Sequence, residues 1–149
     1  MTVEVRAVGQ GELPAAARLW VAAGLLRTVD EAMTEAAAYH AADPELVLVA
    51  AHQSEVVGAG IGSFDGYIGR LRRVAVVPPW RGRGLGRRMA GELERRLVAR
   101  GARKARLHVY EDADDARTFW EHLGYAHIPA RYLGKPFTEG PARSRHAGA

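Results

Sequence analysis

A glycine-rich loop flanked by arginines carries the strongest chemical signal in this sequence. The loop has glycines at alternate positions, and it opens directly into a helical pattern that runs to Arg100. Alternate glycines let a ligand approach the backbone closely, and the N–H groups at the start of a helix attract an anion. The residues of the loop and its flank are Arg81, Gly82, Arg83, Gly84, Leu85, Gly86, Arg87 and Arg88. With four cations around it, the loop predicts a binding site for a polyanion larger than a single phosphate.

The glycine spacing excludes two nucleotide-binding motifs. A Rossmann fingerprint has glycines at the first, third and sixth positions, followed about 20 residues later by an acidic residue. Here the third glycine comes one residue early, and the region 103–106 is basic. A Walker loop ends in Gly-Lys-Ser/Thr, and no such triplet follows Gly86. Two interpretations of the segment remain. It is either a phosphate-binding loop of another kind or only a glycine-rich turn that precedes a helix.

A second motif, Ala116 to Tyr125, lies nearer the C-terminus. Its apolar residues recur at spacings of three and four, which predicts a helix over 114–123 with one buried face. Asp112 or Asp114 is expected to cap the start of this helix, and Gly124 to end it.

Together the two motifs resemble the GNAT superfamily of N-acyltransferases, in particular a branch of small single-domain bacterial proteins. Arg81, Gly84 and Gly86 match the acyl-CoA motif (Gln/Arg)-x-x-Gly-x-(Gly/Ala) of that superfamily. The segment 116–125 is similar to its pattern Ala-x-x-Phe-Tyr-x-x-Leu-Gly-Phe. The resemblance implies an N-acetyltransferase that moves an acetyl group from acetyl-CoA directly to an amine, either a small molecule or a peptide N-terminus or lysine.

The resemblance also implies where the acetyl-CoA lies. Its phosphates would bind the loop from Arg81 to Arg87. Its pantetheine arm would pair with the backbone of the fourth strand at Val74, Ala75 and Val76, where a backbone N–H polarises the thioester carbonyl. The acceptor site would be built from the first two helices, their connection and the last strands, which contain no recognisable specificity motif.

The sequence departs from the family pattern at Ala113 and Trp120. Many relatives have at these positions an asparagine that contacts the cofactor and a tyrosine that protonates the departing thiolate. Indole has no acidic proton to give, so another group must replace the tyrosine. Tyr110 and Tyr125 are the nearest phenols in sequence. Water is another proton source, and a catalytically silent acyl-CoA sensor is the alternative function.

His108 is the first candidate for the general base. It lies in the predicted fifth strand, where some protein-acetylating relatives carry a catalytic glutamate, and imidazole titrates in the useful pH range. The alternating pattern of the strand equally predicts a partly exposed structural histidine. A dense acidic cluster at 111–115 either attracts a cationic amine or compensates a helix dipole. The remaining histidines do not pair at metal-ligand spacing, so no metal site is predicted.

Composition narrows the remaining choices. The chain has 149 residues, of which 48% are hydrophobic and 26% charged, which predicts one domain over 1–137 and a disordered tail over 138–149. It has no cysteine, which excludes a cysteine acyl-enzyme. No long apolar stretch or signal peptide is apparent, so we expect a cytoplasmic protein with no membrane partner.

The formal net charge of +4 raises a nucleic-acid-binding module as a rival class. The arginines, however, cluster at the glycine loop and along one helix face, and the sequence has no helix-turn-helix, RNA-binding aromatic signature or zinc spacing. We therefore expect no nucleic-acid partner. A homodimer stays open.

The order of predicted elements is βααβββαβαβ, a mixed α/β sheet of six to seven strands with helices on both faces. The strands are predicted over 3–8, 46–51, 56–64, 67–77, 104–110 and 126–133, and the first two helices over 12–26 and 30–42, the second capped by Asp30. Glycines 58, 60 and 62 share one strand face, where another backbone or a ligand is expected to pass closely. This order coincides with that of GNAT proteins.

Overall fold

A computed structural model of the chain describes residues 2–138. The chain divides into two compact units, the first ending at Leu107 and the second beginning at His108. The predicted tail, 138–149, lies outside the described residues except for Thr138, and the single domain over 1–137 stays a prediction.

The first unit contains a five-stranded sheet with the strands in sequence order. Neighbouring strands are antiparallel except for the last pair, which is parallel. The strands are β1 (Glu4–Ala7), β2 (Val47–His52), β3 (Glu55–Phe64), β4 (Ile68–Val76) and β5 (Lys104–Arg106). The mixed α/β class is therefore confirmed, and the last two predicted strands differ from the structure.

Helices cover both faces of this sheet. On one face, α1 (Leu13–Ala22) and α2 (Val29–Ala42) pack around the fully buried Trp20. On the other face, α3 (Leu85–Arg100) buries an apolar stripe at 85, 89, 93 and 97. These side chains occupy the space in front of glycines 58, 60 and 62, where an added Cβ at Gly58 would lie 2.8 Å from the Met89 sulfur. The close approach that the glycines predict is therefore made by α3.

A β-bulge interrupts the pairing of β3 with β4. The register changes between Ala59, which pairs with Ala75, and Ile61, which pairs with Arg72. Two residues of β4 thus lie opposite one residue of β3, and the first of them, Arg73, has a φ of +57°. A bulge of this kind bends the strand and increases its twist.

Two predicted strands are wrong in extent or existence. The strand predicted over 104–110 ends at Arg106, since its parallel pairing reaches only Arg70 of β4, shortly before the bulge. Residues 126–133 form no strand, and Pro129 within this segment lacks the N–H that a ladder needs. Among the described residues the sheet has five strands, instead of six to seven, in the order βααβββαβα.

The helix ends also correct several predictions. The cap of α2 is Thr28, whose side chain accepts from the N–H of Glu31 at 3.1 Å, because the helix starts one residue before Asp30. α1 ends at Ala22 instead of 26, where Gly24 takes a φ of +78°. No helix in residues 2–138 is long and apolar enough to cross a membrane.

The second unit contains one helix, α4 (Asp114–His122). Its first flanking residue is Ala113, and no side chain caps it, so neither Asp112 nor Asp114 acts as predicted. Asp114 and Asp115 lie in the first turn instead, where their negative charges interact favourably with the positive end of the helix dipole. Gly124 follows the helix with a φ of +94°, as expected for a helix terminator.

Candidate functional site

The glycine loop has the geometry of an anion site. It follows a short 3₁₀ turn, Pro78–Trp80, and its glycines at 82 and 84 have φ values of +76° and +77°. Side chains rarely adopt such values, so glycine is required at both positions. An added Cβ at either glycine would have no atom within 4 Å, so the space in front of the loop is open.

The loop ends at the start of α3, with Gly84 as the N-cap residue. The first helical bond in this turn runs from the Arg88 N–H to the Gly84 carbonyl at 3.0 Å. The N–H groups of Leu85, Gly86 and Arg87 precede this bond, no side chain caps them, and no acidic residue lies in the first turn. Leu85 is 4% exposed and anchors the turn in the core. The turn can thus present several backbone donors and the positive helix end to an anion.

The arginines around the loop are held in different ways. Arg81 donates from Nε to the Val76 carbonyl at 2.9 Å, which fixes the side chain against the end of β4. The Arg83 guanidinium lies 4.7 Å from the centre of the Trp80 ring. Arg88 donates to the Val3 carbonyl at 2.9 Å, while Arg87 is exposed. Arg81 and Arg83 are therefore held at the loop, Arg88 is directed to the backbone just before β1, and the binding of an anion by these four cations stays a prediction.

Within residues 2–138, the end of β4 has a backbone edge beside the loop that no strand pairs. The N–H of Val77 donates to the Val57 carbonyl in β3 at 2.9 Å. Because successive residues of a strand direct their backbone groups to opposite edges, those of Val76 and Val74 face away from β3, and those of Ala75 face it. No strand pairs with this edge beyond Arg70 in the part of the chain that the structure describes. An extended, amide-containing ligand can add to such an edge.

The bulge residue Arg73 is a feature that the sequence analysis missed. Its guanidinium makes a two-point ion pair with Glu35 of α2, at 2.8 and 2.9 Å, and also donates to the Leu25 carbonyl at 3.2 Å. Its own carbonyl accepts from the Trp20 indole N–H at 2.6 Å. The bulge is therefore tied to both α1 and α2. No sequence signal marks it, since a positive φ is usually signalled by glycine or asparagine.

In the second unit, His108 lies beyond the end of β5 instead of within it as predicted. Its exposed ring stacks on that of Tyr132, with 3.7 Å between the ring centres and 20° between the planes. Tyr110 is half-buried. The sequence predicts a partly exposed histidine at position 108, and the structure has an exposed one that stacks on an aromatic ring.

Trp120 and Tyr125 come together in this unit. Their ring centres are 5.3 Å apart with 78° between the planes, and the Phe119 ring lies edge-on to that of Trp120 at 4.9 Å. The Tyr125 N–H donates to the Trp120 carbonyl at 3.1 Å, which closes the end of α4. The Tyr125 phenol therefore lies beside the Trp120 indole. Ala113 is separate from this cluster, at the start of the helix.

No group of three or more potential metal ligands occurs within residues 2–138. The metal-free site of the sequence analysis stays a prediction.

Comparison with known proteins gives a consistent result. A family model described as the acetyltransferase (GNAT) family matches residues 15–125. An acetyltransferase of Pectobacterium atrosepticum is 34% identical over 137 residues, covering 92% of this chain and 97% of that protein. Among solved structures, the aminoglycoside N-acetyltransferase AAC(6')-Iy in complex with CoA superposes with a TM-score of 0.77 at 14% identity, covering 92% of this chain and 96% of that one. Glucosamine-6-phosphate N-acetyltransferase from Arabidopsis thaliana gives 0.72 at 15% identity, covering 93% and 100%. The two structures support the fold alone.

Proposed function

Because this chain belongs to the acetyltransferase (GNAT) family, we propose that it moves an acetyl group from acetyl-CoA directly to the nitrogen of an amine acceptor. The observation that carries the proposal is the open, uncapped turn at Gly84, where α3 begins beside Arg81 and Arg83. CoA has a diphosphate and a further phosphate, and these anions require a site with backbone N–H donors and cationic side chains. The CoA complex of the aminoglycoside acetyltransferase agrees with this choice of cosubstrate.

The edge of β4 supplies the rest of the proposed cosubstrate site. The pantetheine arm contains two amides, and these would pair with the backbone of Val74 and with the N–H of Val76, whose carbonyl already accepts from Arg81. A backbone N–H of this edge would donate to the thioester carbonyl, whose oxygen gains negative charge as the amine attacks. The bulge at Arg73, held by Glu35, fixes the edge in place. The polarising step therefore requires no side chain.

The transfer requires two proton movements. The neutral amine attacks the carbonyl carbon, the carbon–sulfur bond breaks, the nitrogen loses a proton, and the thiolate gains one. We assign the first proton to His108, directly or through a water molecule. We assign the second to a phenol, and Tyr125 is favoured over Tyr110 because it packs against Trp120. Both assignments follow the family resemblance.

A catalytically silent acyl-CoA sensor is the second candidate function. It is favoured by Ala113 and Trp120, which replace two residues that contact the cofactor and the leaving thiolate in many relatives. A nucleic-acid-binding module is the third, and it rests on net charge alone. Binding of acetyl-CoA and of duplex DNA at physiological salt separates the third from the others, because nonspecific phosphate contacts weaken steeply with salt.

The proposed function is tested by release of free thiol from acetyl-CoA in the presence of amines. The panel contains amino acids, aminoglycosides, polyamines and peptides with free N-termini. Enzymatic transfer predicts release that depends on the amine and saturates with it. Tight acetyl-CoA binding without release for any amine would support the sensor instead.

A further inference from the structure

Three arginines lie on the sheet face that α1 and α2 cover. Gly69 and Leu71 of β4 face the opposite helix, since an added Cβ at Gly69 would lie 2.9 Å from Leu97 and Leu71 is buried. Side chains alternate along a strand, so Arg70 and Arg72 face α1 and α2. Arg106 of β5 pairs with Arg70 in the parallel register and therefore shares its face. We call Arg70, Arg72 and Arg106 the arginine face.

Two members of the arginine face have donors without a partner. The Nε atoms of Arg72 and Arg106 are buried, and neither makes a hydrogen bond. Neither side chain forms an ion pair with any residue in 2–138, and the Arg72 guanidinium instead lies 4.7 Å from the centre of the Tyr39 ring. A buried donor left unpaired costs free energy, most of all on a charged group. Both arginines are thus poorly satisfied by the fold itself.

The neighbouring charges do not explain the arginine face. The Glu35 carboxylate on this side of β4 is engaged by Arg73 at two points, and within residues 2–138 no ion pair joins a carboxylate to a member of the arginine face. Asp65 is near enough to Arg70 for that cation to help lower its pKa, but its main partners are the N–H groups of Ile68 and Tyr67. Like charges at paired strand positions, such as Arg70 and Arg106, are destabilising. Such an arrangement is expected where an anionic ligand binds.

We propose that the amine acceptor carries a carboxylate or phosphate group, which Arg72 and Arg106 bind. The inference rests on the proposed acetyl transfer and names the substrate class. Arg72 immediately precedes the bulge residue Arg73, and the thioester carbonyl is proposed to lie at the strand edge that follows it. A guanidinium presents several N–H donors in one plane, which match the oxygens of one anion. The Tyr39 ring supports the Arg72 guanidinium in this position.

Matched acceptors test this proposal. Phenylalanine is compared with phenylalaninamide, and glucosamine 6-phosphate with glucosamine, by thiol release from acetyl-CoA. We expect the anionic member of at least one pair to have a kcat/KM at least about tenfold higher, and the pair that shows it identifies carboxylate or phosphate. Arg72→Gln and Arg106→Gln should each remove most of that preference. Arg103→Gln, at an exposed arginine outside the arginine face, is the matched control and should retain it.

Binding is measured separately from turnover. The Nε–H signals of Arg72 and Arg106 in nitrogen-15 NMR spectra should shift when glucosamine 6-phosphate or phenylalanine is added, while that of Arg103 should not. Absence of any shift at Arg72 and Arg106, or a preference that survives both variants, overturns the proposal. Shifts without thiol release from any acceptor would refute acetyl transfer but retain the anion site. Arg72→Lys, which keeps the charge and lacks Nε–H, serves if the glutamine variant does not fold.

Discussion

Replacing Gly84 by alanine separates the anion site from the stability of the fold. Gly84 has a φ of +77°, and a side chain in this region costs about 1–2 kcal/mol. The added methyl would meet no protein atom within 4 Å, so backbone strain is the whole cost to stability. In the proposed complex with acetyl-CoA, the same methyl would lie where the phosphates approach the backbone.

The expected loss of affinity is larger than the loss of stability suggests. If the methyl keeps the phosphate from two backbone donors, each worth about 1.5 kcal/mol or more to a charged acceptor, binding weakens by about 3 kcal/mol. This corresponds to about a hundredfold rise in Kd. Calorimetric titration with acetyl-CoA measures it directly.

Gly24 provides a matched control for this experiment. Its φ is +78°, an added Cβ would again have no neighbour within 4 Å, and it lies after α1, outside the glycine loop. Gly24→Ala should lower the melting temperature about as much as Gly84→Ala and leave the acetyl-CoA Kd unchanged. Equal Kd values for the wild type and both variants would refute the placement of the phosphates at the loop.

Four further changes test other parts of the structure. Arg73→Met should destabilise the protein by about 3–5 kcal/mol in urea unfolding, since Glu35 loses its partner, and adding Glu35→Met should recover most of the loss; an unaffected single variant contradicts the role of the pair. His108→Ala should lower kcat/KM about a hundredfold and remove the acid limb of its pH profile, whereas an ordinary rate with the same limb makes His108 structural. Trp120→Tyr should raise kcat and add an alkaline limb, with melting temperature and acetyl-CoA Kd near wild type; a stable variant with an unchanged profile argues against this position facing the thioester. Two arginines lower the pKa of Glu92 from 4.5 to about 2, so its contribution to stability should be present above pH 4.5 and lost as pH falls toward 2, and Glu92→Gln should lose less stability over that range in acid titrations followed by circular dichroism.

Local sequence patterns predicted the helices and the first four strands well. The apolar stripe of α3 has a period that only a helix satisfies, and Gly101 ends it with a φ of +105°. Long-range pairing was harder to predict. The side chains over 104–110 alternate in the way that predicts a strand, yet β5 ends where β4 approaches its bulge. The alternation of side chains along a segment does not show whether the neighbouring strand continues far enough to pair with it.

The candidate site also has parts that the sequence predicts and parts that it does not. The backbone of the glycine loop was predictable because glycine is the residue that its angles require, and the structure gives those angles at 82 and 84. The bulge was not predictable, because Arg73 adopts a positive φ that its residue type disfavours. The contacts that hold Arg73 come from Glu35 and Trp20, which are far away in sequence. The arginine face likewise depends on strand register, which composition does not reveal.

Acetyl-CoA labelled with carbon-13 at the acetyl carbonyl gives the most direct test of acetyl transfer by this protein. The labelled cosubstrate is incubated with the protein and the amine that releases the most thiol, and the products are followed by NMR. We predict that the label appears in an acetamide in one-to-one proportion to the free thiol, and that Gly84→Ala slows both equally. Label that stays in acetyl-CoA, or appears only in free acetate, would contradict transfer to nitrogen.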